Sequence, residues 1–127
     1  MMQFNILNAV SCEHIVNGAD GKHTLINTQS GDLLVSEFPA RIKFALYVEI
    51  VPNFNGSNSI NIRAKIEGEE IMRGTASAEL TKGQPAVIVI PDSVINFQAP
   101  GTLEIEMWID SQEPVMALQK TVRSSEA

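Results

Sequence analysis

The chain has 127 residues and one cysteine, Cys12, so no internal disulfide can form. Small secreted β domains often depend on such staples, and their absence points to a reducing compartment. Cations are scarce: nine Lys and Arg stand against fifteen Asp and Glu, a formal net charge of −6. Phosphate backbones and anionic lipid surfaces are bound by clustered cations, so this balance argues against nucleic acid and membrane partners. Long apolar runs are missing, and none approaches the ~20 residues that cross a bilayer. The opening MMQFNILNAV lacks the basic segment, apolar run and cleavage site of a secretory signal, so a cytoplasmic location is expected. Catalytic signatures are equally scarce. There is no Walker loop, no dinucleotide fingerprint, no G-x-S-x-G elbow and no CxxC pair.

What is present is alternation. In Arg41–Val51, Ile42, Phe44, Leu46, Val48 and Ile50 fall on every second position. A strand places these on one face, whereas a helix would spread them around its circumference. The hydrophobic fraction of 44% suits a single globular domain spanning 1–127. Residues 3–16 read as a long first strand, and the glycine-rich Asn17–Lys22 reverses it into a return strand at 23–30. Leu33–Val35 is a short strand, closed off by Phe38-Pro39. Residues 59–67 alternate cleanly. At 71–80, Met72, Ala76, Ala78 and Leu80 share a face; a helix competes there, but Gly74 and the Thr/Ser content favour strand. Ala86–Ile90 is a buried strand ended by Pro91, with 94–97 as a short continuation. Leu103, Ile105, Met107 and Ile109 face inwards on a hairpin that returns through 115–123, where Met116, Leu118 and Val122 share a face. Residues 124–127 read as a frayed tail. Eight or nine strands with frequent turns predict an all-β, antiparallel sandwich of two sheets, with a closed barrel as the alternative.

Cys12, His14 and His23 are the candidate metal ligands. Thiolate and imidazole suit zinc, and a hairpin turning about Gly18-Ala19 makes His14 and His23 cross-strand neighbours, with Glu13 or Asp20 near enough to add oxygen. The competing reading is a small buried thiol and two surface histidines. Glu104 and Glu106 alternate with apolar residues as a solvated sheet face does, and Glu67, Glu69 and Glu70 flank a turn. Neither set lies in an apolar pocket of the kind that raises a carboxyl pKa for acid catalysis. Asp20, Asp32, Asp92 and Asp110 sit in or beside separate turns, too dispersed for calcium. Tyr47 and Trp108 fall on the polar faces of their strands. They form a candidate interaction surface, unless a second layer or loop covers them.

Several segments, MQFNILNAVSCEHI, NGADGKHTLIN, SGDLLVSEFPARIKFALYVEI and GTLEIEMWIDSQEPVMALQKTV, resemble a family of small bacterial and phage-associated proteins of unknown function. The resemblance runs nearly full length and rests on turn glycines, alternating strands and a Phe-Pro before the central strand. It implies a compact β-sandwich and carries over no functional residue. The expected function is a non-enzymatic structural or protein-interaction module. It self-associates, for instance as a homodimer, through a sheet face or an edge strand. A small metal- or ligand-binding protein built on the amino-terminal hairpin is the second expectation, and a hydrolase with a loop-built site the third.

Overall fold

The computed structural model describes residues 4–110 and 112–125. Nine strands follow in order: β1 (Phe4–Asn17), β2 (His23–Thr28), β3 (Leu33–Val35), β4 (Ala40–Pro52), β5 (Gly56–Ile66), β6 (Glu69–Leu80), β7 (Ala86–Phe97), β8 (Gly101–Ile109) and β9 (Val115–Ser124). They form two curled sheets packed face to face, a sandwich and not a closed barrel. The first sheet has the order β2-β1-β4-β7 and the second β3-β9-β8-β5-β6. All pairings are antiparallel except β3 with β9, a parallel exception to the expected arrangement.

The core is the layer between the sheets. The first sheet contributes Phe44, Leu46, Val48 and Ile50 from β4 and Ile88, Ile90, Ile95 and Phe97 from β7. The second contributes Ile60, Ile62 and Ala64 from β5 and Leu103, Ile105, Met107 and Ile109 from β8. These are the period-two rows of the sequence, and the inward row of β4 from Phe44 to Ile50 is fully buried. The two layers are also tied at one end, where the Lys120 ammonium on β9 donates to the carbonyls of Gln29 (2.6 Å) and Gly31 (3.0 Å).

Four expectations change. β7 is one strand through Pro91: its register with β4 shifts between Phe44 and Leu46, and this bulge absorbs the proline. Met116 lies opposite Glu106 and is 43% exposed, because a register shift between Ile105 and Glu106 takes it off the face of Leu118. The first hairpin turns through a 3-10 segment at Ala19–Gly21, closed by the Gly18 N–H to the Lys22 carbonyl (2.7 Å), and not about Gly18-Ala19. Asp20 and Gly21 carry the left-handed φ angles of that turn, 58° and 71°. Ser124 belongs to β9 and Ser125 donates to the Val35 carbonyl (2.7 Å), so the expected tail is paired to there; residues 126–127 lie outside the described residues.

Candidate functional site

The amino-terminal hairpin does not assemble the expected ligand set. The turn centred on Asp20 sets His14 opposite Ile26 and His23 opposite Asn17. The two histidines are thus offset by three positions along the ladder, about 10 Å, and project from opposite faces of the hairpin. Cys12 is fully buried, and its thiol contacts the His14 carbonyl at 3.4 Å. Burial raises its pKa, which opposes the thiolate a metal would need. Among the described residues no three His, Cys, Asp or Glu stand close enough to hold a metal ion.

The hairpin instead serves as a roof. β1 pairs with β4 as far as Cys12 and thereafter only with β2. Its end crosses β4 to reach β7, where the Ile15 N–H donates to Asp92 (3.0 Å) and the His14 ring pairs with the same carboxylate. The Ile15 N–H is the larger cause that holds the Asp92 carboxyl below its usual pKa, and His14 adds to it. Under this crossing lies a second small cluster: Cys12, Ile15 and Ala45 buried, with Leu25, Tyr47 and Val89 packed around them. His23 meets Tyr47 edge to face, with ring centroids 5.6 Å apart. Tyr47 is therefore half-buried beneath the hairpin. Ser93, beside Asp92, donates its hydroxyl to the Pro91 carbonyl (2.9 Å).

The outer face of the second sheet is a charged lattice. The register aligns Glu106 with Arg63 and Arg63 with Arg73 across β8, β5 and β6. Glu106 accepts from Arg63 and pairs with Lys65, each at 3.0 Å. Arg73 bonds Glu70. Arg63, and then Lys65, lower the Glu106 pKa, the opposite of what an acid catalyst requires. Trp108 is half-buried, with the guanidinium carbons of Arg63 and Arg73 at 4.9 and 5.3 Å from its ring centroid. It packs as a cation–π partner, so little of the ring is free as a stacking platform. The alternation of β5 and β8 could have placed Arg63 beside Trp108. Asp92 as the anchor of His14 had no such signal, apart from a proline kink inside a β-branched run.

The sandwich has four edges: β2 and β7 in the first sheet, β3 and β6 in the second. Where β6 lies over β7, an open cleft of about 290 Å³ runs between them, lined by Ile62, Met72, Ala76, Val89, Ile90 and Pro91 among others. A larger open groove of about 770 Å³ follows the β2–β3 and β3–β4 connections, with polar residues such as Asn27, Asp32, Arg41 and Lys43 in its rim.

No family model and no curated protein matches the chain. Among solved structures, a β-glucosidase from Erythrobacter marinus is similar, with a TM-score of 0.52 and 12% identity over 94% of this chain and 15% of that one. The chain spans 15% of that enzyme's length, and the likeness is one of fold alone.

Proposed function

We propose that the chain is a non-enzymatic structural or protein-interaction module that associates with itself. The observation that carries this reading is β6, a twelve-residue edge strand with an apolar cleft beside it. An edge of that length presents a row of unpaired N–H and C=O groups, which a further strand can satisfy. Four of the titratable groups are occupied in holding the fold: Asp92 anchors a hairpin, Glu106 and Glu70 each pair with an arginine, and Cys12 is packed. Sedimentation velocity and light scattering over a wide concentration range test the proposal. A defined dimer supports it. A monomer at every concentration up to the solubility limit overturns it.

A further inference from the structure

The four edges are not equally open. β3 has three residues and β2 has six, with Asn27 of β2 in a left-handed conformation (φ 56°). β7 is long, but Pro91 lacks an N–H, the adjoining bulge breaks its register, and Asp92 is drawn to the hairpin. These are the devices by which sheets avoid pairing with other chains. β6 carries one irregularity, near its start, where the register with β5 shifts between Ala64 and Lys65. From Met72 to Leu80 it pairs with β5 without interruption and has no proline or lysine.

The charges along this stretch are complementary to themselves. Arg73 and Glu79 lie on the same outer face, six residues apart, with Ala76 midway. We infer that two copies pair antiparallel through β6 about a two-fold axis at Ala76, setting Arg73 of each copy against Glu79 of the other. In that register Met72 lies opposite Leu80, Gly74 opposite Ala78 and Thr75 opposite Ser77. Directly opposed residues point to the same face, so the axis keeps apolar side chains inward and polar ones outward. Moving the axis to Gly74, Thr75 or Ser77 sets Arg73 against an uncharged residue, Thr75, Ser77 or Thr81. Glu79 is exposed and has no partner in its own chain among the described residues. Arg73 keeps donors to spare while bonded to Glu70. The pairing joins two five-stranded sheets into one of ten, and the second copy covers the mouth of the cleft where Met72 and Ala76 meet Ile90. Because the same patch is used twice, the assembly closes as a dimer and does not grow.

This inference rests on the self-association proposed above, and one series of proteins separates the two. Arg73→Glu and Glu79→Arg each place like charges at both symmetric contacts, and each is expected to raise the dimer dissociation constant at least about tenfold. The double variant Arg73→Glu/Glu79→Arg restores opposite charges and is expected to recover affinity to within about threefold of the parent. Glu113→Arg, in an exposed turn, serves as the charge control and leaves the dimer unchanged. Circular dichroism checks that every variant is folded. A dimer indifferent to both single changes overturns the edge assignment while leaving self-association intact. Failure of the double variant to recover affinity overturns the register. A monomeric parent overturns both proposals.

Discussion

The two sheets meet water differently. The first covers its outer face with its own chain: the hairpin crosses β4, buries Ala45 and ends on Asp92 of β7, where a bulge already interrupts the edge. The second leaves its outer face open and fills it with Glu106, Arg63, Lys65 and Arg73, and its long edge β6 runs without a bulge from Met72 to Leu80. The difference follows from what each outer row contains. Cys12, Ala45, Tyr47 and Val89 are apolar enough to favour a roof; a charged row is stable in water and needs none. Protection of an edge is thus a by-product of covering a face, and the sheet that lacks the roof keeps the edge available.

The largest expected effect lies under the roof. Ile15→Ala leaves a cavity against Ala45 and Tyr47 and should cost about 2–4 kcal/mol, read as a lower urea midpoint at unchanged slope. An unchanged midpoint would mean that the small cluster carries no stability and that the two outer faces differ only in appearance.

A smaller and more local effect is expected at the anchor. Asp92→Asn removes the carboxylate that Ile15 and His14 share, so amide exchange should accelerate in β2 and the end of β1 while β5 and β8 are unaffected. Acid should act in the same direction. The Asp92 and Glu106 carboxyls are held below their usual pKa by the Ile15 N–H and by Arg63, respectively. Each binds its proton less tightly in the folded protein than in the unfolded chain, so protonation favours unfolding. That stability is fully present above the ordinary carboxylate range, about pH 4, and is lost as pH falls through the lowered folded values. A stability that rises between neutral pH and pH 3 would contradict this.

The smallest effect is on the open face. Glu106→Gln keeps the shape and loses the charge that faces Arg63 and Lys65, a pair whose side chains are 26% and 25% exposed. About 0.5–1 kcal/mol is expected, with most of it gone in high salt. A cost as large as that of Ile15→Ala would erase the contrast between the faces.

Strand positions were legible in the sequence because alternation is a local property. The inward rows of β4, β5 and β8 can be read from residues two apart, and they are the buried rows of the structure. What escaped depends on single-residue insertions or on distant contacts. The hairpin register turned on which residue occupies the centre of the 3-10 turn, and a shift of three in the sum of paired numbers separated His14 from His23. One bulge put Met116 on the outer face, and another carried β7 through Pro91. The tie between His14 and Asp92 joins residues 78 apart, beyond the reach of any periodicity. Tyr47 and Trp108 fell where alternation put them, but their cover came from other strands: the hairpin in one case, Arg63 and Arg73 in the other.

The most direct test of the open edge is residue-resolved amide hydrogen exchange on the parent protein at two concentrations, one dilute and one near the solubility limit. Self-association through β6 predicts that amides between Met72 and Leu80 gain protection at the higher concentration while those of the β7 edge around Pro91 do not. Equal exchange in β6 at both concentrations, or protection gained on β7 instead, would contradict it.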